Sequence, residues 1–162
     1  MVIENTSDLV AYRTKVTVRV LDQAGGSAVA AGSGEFLVQE IPVILPGQRA
    51  GLGAWTYLRE DQSSRAVPPA GLDVGLEGTQ WWATRNTVLA FAAVTSRHLQ
   101  TRRNSIEPVN GAIEYEVTSG YCQAVTPRGV ATLFRNAAGT LVGGTYSLDA
   151  FRTRCRPGVS TE

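Results

Sequence analysis

The sequence predicts an all-β protein, and three observations carry that prediction. Helix signals are scarce: 14 Arg stand beside a single Lys, Leu is scattered, and 17 Gly and 7 Pro punctuate 162 residues. Short runs of β-branched residues alternate with polar ones at period 2. Asp/Asn-x-x-Gly and Pro-Gly sequences separate those runs as turns. With 43% apolar and 18% charged residues, the chain can bury a real core, so general disorder is excluded.

The clearest strand is Thr14 to Leu21, where Val16, Val18 and Val20 share one face and Lys15, Thr17 and Arg19 the other. Asp22-Gln23-Ala24-Gly25-Gly26 then turns the chain: Asp bonds its own backbone two residues on, and Gly supplies a positive φ. Ala28 to Phe36 reads as the return strand. Pro46-Gly47 makes the next turn, before a strand over Ala50 to Leu58. Asp61 to Gly71, with Pro68-Pro69, reads as loop. Thr79 to Trp82 and Val88 to Thr95 read as extended, and Arg97 to Glu107 as a long polar connection. Ala112 to Thr118 and Val130 to Phe134 alternate. Asn136-Ala137-Ala138-Gly139 turns the chain, Leu141 to Leu148 returns it, and Pro157-Gly158 turns it again.

The late features repeat the early ones in order. Glu4-Asn5-Thr6-Ser7 matches Glu116-Val117-Thr118-Ser119, and Asp22-Gln23-Ala24-Gly25 matches Asn136-Ala137-Ala138-Gly139. Val16, Val18 and Val20 align with Val130, Thr132 and Phe134 in the same phase, and Pro46-Gly47 aligns with Pro157-Gly158. Short strands with regular turns, present twice, predict two related β-sandwich units, at residues 1–83 and 84–162, with a single larger sandwich in which the copies share strands as the alternative.

The repeat unit resembles the FxLYD domain of bacterial envelope proteins. The first copy carries the resemblance in Glu4-Asn5-Thr6-Ser7-Asp8, in Val18-Arg19-Val20-Leu21-Asp22-Gln23-Ala24-Gly25 and in Leu45-Pro46-Gly47-Gln48. The second carries it in Val117-Thr118-Ser119-Gly120, Phe134-Arg135-Asn136-Ala137-Ala138-Gly139 and Cys155-Arg156-Pro157-Gly158, departing at the first Asn and at the aromatic-Asp pair. The motifs are turns, so they speak for fold more than for function. The resemblance implies an immunoglobulin-like β-sandwich, export to the cell envelope or beyond it, and a non-catalytic binding or scaffold role, for instance as the soluble part of a lipoprotein. Met1 is followed directly by Val2-Ile3-Glu4-Asn5, without the basic start of a signal peptide. The chain therefore reads either as cytosolic or, as the resemblance implies, as the mature part of an exported protein, begun at a methionine and cut close to both repeat edges.

Cys122 and Cys155 lie at equivalent places in the second copy, after the Thr-Ser turn and before Pro-Gly. Turns at strand ends can approach within disulfide range, and a bond here would staple the second unit by about 2–4 kcal/mol. Two free thiols in a cytosolic chain are the alternative. Trp81 and Trp82 project to opposite faces of a strand, so one is core and the other half-exposed. With Trp55 and Tyr57 the exposed one is a candidate anchor for a protein or glycan at the cell surface. Arg97, Arg102 and Arg103 form a candidate anion-binding segment. Edge strands offer a further route to partners and to oligomers.

Much chemistry is excluded. A single His rules out a multi-His metal centre and leaves little room for a triad. No phosphate loop, Gly-x-Ser-x-Gly elbow, Cys-x-x-Cys or calcium loop occurs, so neither metal nor cofactor is expected. Net charge is +1, divided as −3 over residues 1–80 and +4 over 81–162, and gives no field suited to nucleic acid. No apolar run reaches the roughly 18 residues of a membrane helix. The competing expectation is a small extracellular hydrolase or transferase whose titratable groups converge only in the fold.

Overall fold

The computed structural model describes residues 1–34, 37–85, 91–103, 111–121, 129–147 and 158–161, the side chains of 103 and 158–161 excepted. These residues are all-β, with eleven strands and no α-helix among them. The strands are β1 Val2–Glu4, β2 Val10–Leu21, β3 Val38–Ile44, β4 Arg49–Gly51, β5 Gly71–Glu77, β6 Gln80–Trp82, β7 Val94–Arg103, β8 Gly111–Ser119, β9 Val130–Arg135, β10 Leu141–Ser147 and β11 Gly158–Thr161. The chain divides into two compact units. One comprises Met1–Thr84 with Ala131–Ser147, the other Arg85–Val130 with Leu148–Glu162.

The first unit is organised by β2. β3 lies antiparallel on one edge, from Ala11↔Ile44 to Thr17↔Val38. β5 and β6 share the other edge, running from Leu21↔Gly71 to Lys15↔Glu77 and from Tyr12↔Gln80 to Val10↔Trp82. The valine alternation sets the two faces. Lys15 pairs with Glu77 at 3.7 Å and Arg19 with Asp73 at 3.5 Å on the polar face. On the other, Val16, Val18 and Val20 stand opposite Leu76, Val74 and Leu72. Arg13 has φ 55 and Gly78, near its cross-strand position, φ 66.

The core forms where the apolar face is covered. Ala11, Val16, Ile41, Ile44 and Leu52 are buried together, and Met1, Ile3 and Ala50 of the separate β1–β4 pair pack against them. The β9–β10 hairpin comes against the segment after β4. A side chain at Gly53 would place its Cβ 2.0 Å from the Thr145 carbonyl oxygen, and one at Gly51 would meet Leu133 at 3.0 Å. Only a residue without Cβ admits that approach at Gly53.

Asn5 ties three segments of this unit. It is 5% exposed, and its Nδ2 donates to the Leu9 carbonyl at 2.7 Å and the Ile44 carbonyl at 2.9 Å. Its Oδ1 accepts from the Ser7 amide and hydroxyl. The Asn-Thr-Ser sequence at residues 5–7 therefore closes a turn, with the amide nitrogen aimed inward.

The two Asx turns are superimposable in their bonding. Asp22 Oδ1 accepts from the Ala24 and Gly26 amides, and Asn136 Oδ1 accepts from those of Ala138 and Thr140. In both, the fourth residue is a glycine at φ 79. Asp22 adds an ion pair to Arg59 at 2.8 Å, which a neutral Asn cannot make.

In the second unit β8 is central, flanked antiparallel by β7 and β11. Of the polar connection expected over Arg97 to Glu107, residues 97–103 thus belong to a strand, and 104–107 lie outside the described residues. The arginines that made the segment look like loop have cross-strand partners in β8, Arg97 with Glu116 at 3.1 Å and Arg102 with Glu114 at 3.4 Å. A bulge falls between His98 and Gln100. Two other expected strands are shorter than read. Past Gly25 only Ser27 and Val29 form isolated bridges, because Gly32, at φ 78, turns the chain. After β4 the chain leaves the ladder at Leu52 and returns only at the bridge Val29↔Leu58.

Candidate functional site

The first unit holds an apolar cleft of about 340 Å³. Its floor is the open part of the β2 face: Val16, Val18 and Val20, with Gln39 from β3 and Leu72 from β5. Its wall is the irregular run Leu52 to Thr56 and the start of β10, Leu141 to Gly144. The cleft exists because the wall stops short. Val16 is 1% exposed beside Leu52, whereas Leu76, Val74 and Leu72 across the face on β5 are 56%, 41% and 62% exposed.

The wall is positioned by backbone contacts. Gln39 Nε2 donates to the Gly53 carbonyl across the floor. The Thr56 hydroxyl donates to the Ser33 carbonyl at 2.9 Å. Gly53 sits against Thr145, so β10 and the 52–56 run form one wall. These bonds engage the two polar side chains of the lining with main-chain carbonyls. Among the described residues the other lining side chains are aliphatic, aromatic or the Met1 thioether, and none is an acid, a base or a thiol. Such a surface binds by desolvation and shape.

Trp55 lies at the mouth. It lines the cleft while its ring stays 41% exposed, and Tyr57 stands against it edge to face, with ring centroids 5.4 Å apart. The pair presents one aromatic face and one ring edge, each with a polar tip.

The remaining sequence candidates lie elsewhere. Trp81 and Trp82 occupy β6, opposite Ala11 and Val10, and neither lines the cleft. Trp81 is 53% exposed and Trp82 half-buried, with its Nε1 buried and without an acceptor among the described residues. Arg97 and Arg102 are exposed on β7 with the glutamates of β8 beside them, which offsets their charge toward an anion. Arg103 ends β7, and its side chain lies outside the described residues. Cys122 and Cys155 lie outside them too. Among the described residues no three His, Cys, Asp or Glu side chains gather as metal ligands, and no helix is long and apolar enough to cross a membrane.

Of the cleft, sequence reasoning found Trp55 and the valine floor but not Leu72, Leu141 or Val142. The signal for the first was present, since Leu72, Val74 and Leu76 alternate with Asp73, Gly75 and Glu77. No family model, curated protein or solved structure matches the chain.

Proposed function

We propose that the chain is an exported, non-catalytic binding module of a bacterial cell envelope, and that the cleft of the first unit is where its ligand docks. The observation that carries the reading is the composition of the cleft among the described residues: an apolar floor and wall, an exposed Trp55–Tyr57 pair at the mouth and no titratable side chain in the lining. Acid–base or nucleophilic chemistry needs such groups in the site. Docking of an apolar or ring-bearing group on a protein or glycan does not.

The architecture supports the same reading. The antiparallel pairing of β1 with β4 and of β8 with β11 puts the strand before each Thr-Ser turn beside the strand after each Pro-Gly, and an Asx turn follows in each copy, the second one on the β9–β10 hairpin of the first unit. That is the arrangement expected of two diverged copies of an FxLYD-like, immunoglobulin-like sandwich, a scaffold that presents faces and loops rather than reactive centres. Export fits a disulfide between Cys122 and Cys155.

The test uses 1-anilinonaphthalene-8-sulfonate as the probe of the cleft. The folded chain is expected to enhance its fluorescence saturably, and Val142→Asp and Trp55→Ala are each expected to weaken binding about tenfold, the loss of roughly 1.4 kcal/mol. Both positions are partly exposed, so folding survives the changes. Equal binding by all three proteins refutes the cleft as the docking site.

A further inference from the structure

We infer that β5 is a self-pairing edge, through which two copies of the chain join antiparallel into one continuous sheet. Three observations meet on this strand. First, among the described residues β5 has a neighbour on one side only: the order is β3-β2-β5, and its other edge carries no strand. A seven-residue edge leaves a row of backbone donors and acceptors available for pairing. Second, residues 71–77 contain no Pro and no Lys, the positive-φ glycine at 78 comes only after the strand ends, and the two charges of the strand, Asp73 and Glu77, are each paired with a cation of β2. Third, its apolar side chains, Leu72, Val74 and Leu76, are exposed on one face.

The charge pattern then selects both the occupant and the register. In a twofold antiparallel pair one residue faces its own copy. Centred on Asp73, the pairing sets Asp73 against Asp73 of the second copy. Centred on Gly75, it sets Asp73 against Glu77. Both oppose like charges directly, which destabilises the pair. Centred on Val74, all seven residues overlap and no charges collide. Val74 meets Val74 and Leu72 meets Leu76 on the apolar face, while Asp73 meets Gly75 and Glu77 meets Gly71 on the other. The two glycines leave room there, with open space around Gly71 and only Thr17 near Gly75. Asp73 and Glu77 keep their own cations, Arg19 and Lys15. The strand is thus complementary to itself in one register.

The interface is small beside the 1,200–2,000 Å² of standard complexes, so association in the micromolar range is expected. It is read by sedimentation equilibrium of the full chain with reductant present, which removes any intermolecular disulfide. The mass is expected to rise with concentration from 17.3 kDa to twice that value. Val74→Arg brings two cations together at the twofold and is expected to abolish the rise. Leu72→Asp and Leu76→Lys are each expected to weaken association at least tenfold. Mixing those two variants, or combining them in one chain, restores it, because the new aspartate then faces the new lysine. The dye-binding cleft of Val74→Arg stays intact, which separates loss of pairing from loss of fold. A chain that remains monomeric at its solubility limit overturns the inference. So does a dimer indifferent to Val74→Arg, or a double variant that stays monomeric.

Discussion

Replacing Asn5 with Ala tests the bonding that joins the first unit. Asn5 makes four side-chain hydrogen bonds, two donated to the Leu9 and Ile44 carbonyls and two accepted from Ser7. Ala removes all four. The groups at Ser7 and Leu9 sit near the surface and recover water, so each of those losses is worth about 0.5–1 kcal/mol. The bond to Ile44 is buried, and its orphaned carbonyl costs about 1–3 kcal/mol. The sum is about 4 kcal/mol, a fall in Tm of roughly 8–16 °C for a chain of this size. All three Trp residues, 55, 81 and 82, belong to the first unit, so urea unfolding followed by tryptophan fluorescence reports on that unit by itself. Ser7→Ala is the control. It removes the three bonds of the Ser7 hydroxyl, orphans no buried carbonyl and is expected to cost about 2 kcal/mol, half as much. If Asn5→Ala is no worse than Ser7→Ala, the side-chain bonds do not hold the unit together and the reasoning fails.

Two further expectations concern the wall and the second unit. Gly53→Ala sets a Cβ against the Thr145 backbone and is expected to destabilise the first unit by about 3 kcal/mol, while Gly34→Ala, with open space around it, stays within about 1 kcal/mol in the same assay. The unreduced protein is expected to weigh two hydrogens less than the reduced form and to take up no iodoacetamide without reductant; two alkylated thiols in a chain purified from an oxidising compartment count against both the Cys122–Cys155 bond and export.

The parts of the fold legible in the sequence are those decided within a few residues. The alternation of β2 and the two Asx turns needed only local rules, and each is present with its bonds. β5 obeys the same alternation, yet two glycines and two acids among seven residues lower its strand propensity. Its place comes from cross-strand partners, Asp73 with Arg19 and Glu77 with Lys15, that lie more than fifty residues earlier. The same holds for β7, whose arginines read as solvated loop until the glutamates of β8 are set beside them. The cleft was least legible. Val18, Trp55 and Val142 come together there from three distant stretches, and the hairpin that supplies Val142 belongs to the first unit although the chain between lies in the second.

The kink in β2 explains why period 2 locates the floor of the cleft but not the whole core. Strict alternation would put Ala11 and Val16 on opposite faces, yet both are buried in one cluster. Arg13, at φ 55, lies between them, and a left-handed residue reverses the sidedness of a strand. The neighbouring strands follow. Ile41 and Ile44 of β3 both reach the core on either side of Pro42, and Gly78 separates the run of β5 from that of β6. The apolar faces on either side of the kink are therefore distinct in use. Before it, Ala11 and Ile44 are sealed beneath the β1–β4 pair. After it, cover ends at Val16, and Val18, Val20 and the β5 residues form an open floor. The Thr145 contact holds position 53 to glycine and so lets the hairpin dock beside Leu52. Among the described residues the cover ends at Val16, and the far edge of β5, the last strand of its sheet, carries no strand.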